Sequence, residues 1–152
     1  MKETFVVELE ELEDLAVDVL DTLSHHKQEE GQTLLLKGNL GAGKTTFTKI
    51  LGKALGIPED EIHSPTFILK KEYKATHPRF KKLIHVDAYR FETTKEAKVL
   101  DLEKHKQEEG SLLVIEWPEN AGIESGDMEL FFDYDGDTTR SITIDYSRPD
   151  YV

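Results

Sequence analysis

The stretch Thr33-Leu34-Leu35-Leu36-Lys37-Gly38-Asn39-Leu40-Gly41-Ala42-Gly43-Lys44-Thr45 decides the fold. Its first five residues form an apolar run of strand length. The remaining eight are a complete G-x-x-x-x-G-K-[ST] pattern, the Walker A motif. Beyond it Phe47, Ile50, Leu51, Ala54 and Leu55 fall on one helical stripe, and Gly56 followed by Ile57-Pro58 supplies a stop. A helix is therefore expected from near Lys44. Strand, glycine-rich loop and helix, in that order, are the setting the motif requires to hold phosphate.

Phosphate arrives heavily charged and needs many donors at close range. Gly38, Gly41 and Gly43 let the backbone wrap so that N–H groups from about Leu40 to Thr46 converge on it. The helix that follows adds its positive N-terminal end. The expected nucleotide contacts are Asn39, Leu40, Gly41, Ala42, Gly43, Lys44, Thr45 and Thr46, with Lys44 reaching the β- and γ-phosphates and the Thr45 hydroxyl ligating Mg²⁺.

Two more apolar runs, Leu83-Ile84-His85-Val86-Asp87 and Leu112-Leu113-Val114-Ile115-Glu116, look like central parallel strands covered on both faces. Between Glu10 and Leu23 the residues Leu12, Leu15, Ala16, Val19, Leu20 and Leu23 mark an amphipathic helix, preceded by a short strand at Phe5-Val6-Val7. Leu130 to Tyr134 and Ser141 to Asp145 flank Asp135-Gly136-Asp137, the signature of an antiparallel hairpin. The expected fold is α/β, a three-layer P-loop NTPase arrangement. Its central sheet is mixed and mainly parallel, with a C-terminal antiparallel hairpin, in one domain spanning residues 1–152.

Ligands of open α/β sheets sit beyond the carboxyl ends of the strands. Two of the apolar runs end there in an acid. Glu116 occupies the place of a Walker B acid and is assigned to Mg²⁺ or its waters, and Asp87 to the second position, as metal partner or water-orienting base. The sequence leaves exchange of these two roles open. His85 alternates with apolar strand residues and reads as a packed core histidine rather than a catalyst.

The chain carries 31 acidic against 19 basic residues, a formal charge of -12, which repels polyanions. Direct nucleic-acid binding is not expected. Cysteine is absent, so thiolate chemistry and cysteine-held metals are excluded. No run approaches the roughly 18 apolar residues of a membrane span, and no signal peptide is apparent. The expectation is a cytoplasmic protein.

Three further strings narrow the reading: Ser64-Pro65-Thr66-Phe67, His85-Val86-Asp87-Ala88-Tyr89-Arg90 and Glu116-Trp117-Pro118-Glu119. Together with Gly38 to Thr45, in this order and spacing, they resemble the TsaE family of bacterial ATPases from about Leu34 to Pro118. The resemblance implies an ATPase required for N6-threonylcarbamoyladenosine formation at position 37 of tRNA. It also implies action with the TsaB and TsaD proteins, tRNA being reached only through that complex. It places Lys44 and Thr45 at phosphates and metal, Glu116 at Mg²⁺ and Asp87 near the γ-phosphate, so that Lys44, Asp87 and Glu116 form the catalytic set. Thr66 resembles a switch element sensing the γ-phosphate, and Arg140, after the hairpin turn, matches an arginine that approaches the base.

A GTPase would carry an N-K-x-D or T-K-x-D motif, and none exists, so ATP is the expected ligand. A small kinase would need an acceptor-binding insert, for which there is little room. A nucleotide-gated binding module overlaps with the ATPase reading. Without an arginine finger in cis, hydrolysis is expected to be weak alone and stimulated by a partner.

Overall fold

The computed structural model describes residues 2–25, 30–39, 41–62, 69–92, 95, 98 and 100–146. Strands β1 (Lys2–Glu8), β2 (Gln32–Gly38), β3 (Lys70–Lys74), β4 (Lys82–Asp87), β5 (Ser111–Glu116), β6 (Met128–Tyr134) and β7 (Thr139–Tyr146) form one sheet in the order β1-β7-β6-β2-β5-β4-β3. The four central strands β6, β2, β5 and β4 run parallel, while β7 is antiparallel to both β6 and β1, and β3 to β4. The antiparallel hairpin expected at the C-terminal side is β6–β7.

Alternation along the central strands builds two cores. Leu34, Leu36, Leu83, Leu112 and Val114 face one side, where they meet Leu12, Leu15, Val19 and Leu23 of helix α1 (Leu12–Ser24) and Phe47 and Leu51 of helix α2 (Lys44–Ala54). Leu35, Ile84, Val86, Leu113 and Ile115 face the other, against Leu102 of helix α3 (Leu102–Gln107). This is the three-layer arrangement expected from strands that read as apolar on both faces. The helix expected from Glu10 begins instead at Leu12, and Leu9–Glu11 before it is a 3-10 turn with Glu8 and Glu11 reciprocally capping it.

Helix α2 begins at Lys44, directly on the loop, because Gly43 turns the backbone into the left-handed region at φ 111°. It stops as the Gly56-Ile57 signal dictates: Gly56 N–H donates to Lys53 O at 3.0 Å and Ile57 N–H to Gly52 O at 2.9 Å, with Gly56 at φ 86°. On the α2 side, the helix N-terminus therefore meets the carboxyl ends of β2, β4 and β5.

Strand β3 had no signal in the sequence reading, and its composition explains why. Lys70-Lys71-Glu72-Tyr73-Lys74 shows no apolar alternation, since it closes one edge of the sheet and packs mainly Tyr73 inward.

Gly38 sets how closely the loop follows β6. It sits at φ 131°, and a Cβ there would collide with the Phe132 carbonyl oxygen. Gly38→Ala is expected to lower stability by about 1–3 kcal/mol from the backbone conformation alone, with a further loss from pushing β6 away. Urea midpoints of the two proteins measure it, and equal midpoints would refute the packing argument.

Candidate functional site

Strand periodicity assembles the site. Leu83, His85 and Asp87 of β4 share the face of Leu112, Val114 and Glu116 of β5, and the parallel ladder pairs Asp87 with Glu116. Both acids thus reach the end of the sheet on the α2 side. Gly41, Gly43, Lys44, Thr45, Thr46, Asp87, Tyr89, Glu116 and Trp117 line a cavity of about 240 Å³ there.

Glu116 is 2% exposed and held from two directions. The Thr45 hydroxyl donates to its Oε1 at 2.9 Å, and His85 Nε2 lies 2.6 Å from its Oε2. His85 is fully buried, as the sequence reading had it, but its ring is also hydrogen-bonded to the acid of the site. Nothing in the spacing of the strand distinguishes the two situations.

Asp87 is half-buried, and its Oδ1 accepts the Tyr89 N–H at 3.0 Å. Burial pushes its carboxyl above the usual range and neighbouring Glu116 adds to this, while the Tyr89 N–H opposes it.

Lys44 is 4% exposed and finds its partners inside the loop it belongs to. Its Nζ donates to Gly38 O at 2.6 Å and Asn39 O at 2.9 Å, and lies 4.3 Å from the Trp117 ring centroid. Burial pushes the ammonium below its ordinary value, opposed by Glu116, Glu119 and Asp87. The Trp117 ring is itself packed on Tyr89, centroids 5.1 Å apart. Trp117 adopts φ 58°, rare for a bulky side chain and rarer before a proline. Its N–H donates to Leu36 O at 3.2 Å, which fixes the turn over the end of β2.

A second cavity, about 370 Å³, opens on the other side of the loop and shares Gly41, Gly43 and Thr46 with the first. Its walls are Ala42, Phe132, Ile142 and Arg140 together with Val7, Leu9 and Leu12 from the N-terminal segment. Arg140 therefore lies apart from the acids. Its guanidinium carbon stands 4.6 Å from the Tyr134 ring centroid, and Nη1 donates to Thr139 O at 2.9 Å. Asn39 does not enter either cavity lining; its Nδ2 donates to Asp133 Oδ1 at 3.1 Å. Leu40, Thr66 and the whole Ser64-Pro65-Thr66-Phe67 string lie outside the described residues.

The apolar wall contributed by Val7, Leu9 and Leu12 was missed by motif reading. These residues carry no motif and reach the loop only because β1 pairs with β7. Tyr134 carries no motif either and meets Arg140 through the β6–β7 register.

Chemically, the first cavity offers one ammonium, hydroxyls, open backbone and two carboxylates in reach of each other. That set holds an anion together with a hard cation. The second offers apolar surface and a stacked guanidinium, suited to a flat ring.

Comparison with known proteins follows the same line. The family model described as threonylcarbamoyl adenosine biosynthesis protein TsaE matches residues 6–142. The tRNA threonylcarbamoyladenosine biosynthesis protein TsaE of Bacillus subtilis is 36% identical over 116 residues, covering 75% of this chain and 69% of the relative. That of Aquifex aeolicus is 34% identical over 120 residues, covering 78% of each. The crystal structure of Bacillus subtilis YdiB aligns with a TM-score of 0.70 at 29% identity, covering 99% of this chain and 89% of that one.

Trp117 is the single tryptophan, so its emission reports on Lys44. Titration with a nucleoside triphosphate is expected to change that emission saturably, and Lys44→Met to abolish the change. A flat titration of the unaltered protein would count against phosphate drawing Lys44 away from the ring.

Proposed function

The chain belongs to the TsaE family, and we propose from this that it is a Mg²⁺-dependent ATPase supporting threonylcarbamoyladenosine formation in tRNA together with TsaB and TsaD. The observation that carries the reading is the clasp of Thr45 on Glu116, beside Asp87 and at the foot of the loop. A hydroxyl and two carboxylates at the end of a phosphate loop are the protein's share of a Mg²⁺ shell whose remaining ligands are phosphate oxygens and water. Among the described residues no group of three or more His, Asp or Glu could hold a metal unaided. A cation bound here therefore depends on the nucleotide.

On this reading the triphosphate lies over Gly41 to Thr46, between the two cavities. Lys44 exchanges the carbonyls of Gly38 and Asn39 for the β- and γ-phosphates. Thr45 and Glu116, already in contact, would hold the Mg²⁺, which would supply polarisation of the phosphate. Glu116 keeps a carboxylate beside that position, and Asp87 stands at the neighbouring strand end, placed to orient water. The adenine occupies the second cavity, between its apolar wall and Arg140.

Lys44 is the one cation lining the acid-bearing cavity among the described residues. Among the described residues no arginine lines that cavity, and a finger supplied by a partner is worth roughly 10³ to 10⁵ in rate. This favours a slow ATPase that doubles as a nucleotide-gated binding partner.

Lys44→Ala is expected to weaken ATP binding on the order of 100-fold, the loss of two charged hydrogen bonds. Glu116→Ala should retain ATP and lose Mg²⁺-dependent phosphate release. ATP turnover is expected to rise when TsaB and TsaD are added. Equal turnover with and without them, or multiple-turnover tRNA modification in a reconstituted mixture that omits this chain, would overturn the proposal.

A further inference from the structure

The buried contact between His85 and Glu116 has a direction. His85 Nε2 is 2.6 Å from Glu116 Oε2, and its Nδ1 is buried with no hydrogen-bond partner among the described residues. If Nδ1 carried the proton of a neutral ring, a buried N–H would be orphaned and Nε2 would need a protonated Glu116 to donate to it. If Nε2 carries it, the N–H meets a carboxylate oxygen and only a lone pair goes unmatched. The second arrangement leaves the cheaper group unsatisfied and forms the stronger, charge-assisted bond.

The two oxygens of Glu116 are therefore held in different ways. Oε2 is tied to a ring that is fully buried in the sheet, whereas Oε1 is tied to a hydroxyl at the start of α2, on the wall of the cavity. A glutamate side chain has several rotatable bonds, and these two contacts fix which of its oxygens faces the cavity.

We propose that His85 is a positioning residue, whose Nε2–H fixes Oε2 of Glu116 so that Oε1 alone is presented to the cation. This rests on the Mg²⁺-ATP reading above. The partners that orient metal ligands typically change metal affinity by about 10–100-fold when removed.

The test uses the whole chain with a non-hydrolysable ATP analogue and Mn²⁺, whose binding is read directly by electron paramagnetic resonance. His85→Phe keeps a buried ring and removes the donor. It is expected to raise the half-saturating Mn²⁺ concentration about 10–100-fold while leaving analogue binding in EDTA unchanged. His85→Gln places an amide N–H near the position of Nε2 and is expected to restore most of the Mn²⁺ affinity. Unchanged Mn²⁺ binding by His85→Phe overturns the proposal. So does an equal loss of metal-free analogue binding that His85→Gln does not repair, since that is the mark of packing alone. Glu116→Gln, measured alongside, separates the two levels: if it loses Mn²⁺ while His85→Phe does not, only the role of His85 falls. If Glu116→Gln binds Mn²⁺ normally, the metal reading falls and takes this role with it.

Discussion

The parallel ladder between β4 and β5 is the constraint on which the site depends. Six consecutive register pairs, from Lys82 with Ser111 to Asp87 with Glu116, bring two acids 29 positions apart in sequence to adjacent places at the same end of the sheet. A slip of one residue would turn one of the acids to the other face, toward the core behind α3. The all-apolar strands leave little freedom for such a slip, because Ile84, Val86, Leu113 and Ile115 must fill that second core. Packing on the far face thus enforces chemistry on the near one.

The polar side chains of the loop find partners within the protein. Lys44 saturates two carbonyls of its own loop and lies against an aromatic ring, and the acid that would attract it is taken by Thr45 and His85. Lys44 and Glu116, each costly to bury unpaired, are both paired, the first with backbone carbonyls and the second with Thr45 and His85. On the proposed reading, binding of a nucleotide would exchange these partners for others, and its driving force would be the difference between the two sets of bonds.

How much of this could be read beforehand differs by element. Gly38 to Thr45 specified the loop and the helix start, because the conformational need for glycine is local and each neighbour is set by spacing. The placement of Asp87 and Glu116 was legible from two apolar runs that end in an acid. The identity of His85's partner was not, since Val114 and Glu116 are equally plausible neighbours until the register is known. Strand β3 was hidden by its lysines, which suit an edge and mimic a loop. Helix α3 was hidden by its brevity: it buries only Leu102 and His105. The wall of the second cavity joins Val7, Leu9 and Leu12 to Arg140 and Ile142 through long-range pairing, which no local pattern encodes. Thr66 falls outside the described residues, so its proposed sensing of the γ-phosphate gains nothing from the structure.

The pairing of β1 with β7 also bears on how the chain emerges during synthesis. Strand β1, the first of the described strands, pairs only with β7, the last, and Lys2 finds Asp145 across the sheet. Chains grow at about 5–20 residues per second, so β1 waits several seconds on the ribosome with its ladder open and Val7 not yet buried. The central strands and the phosphate loop can associate before that, but the cavity between Leu9 and Arg140 closes only when translation has passed the hairpin. The cavity that holds Arg140 is therefore the later of the two to be completed.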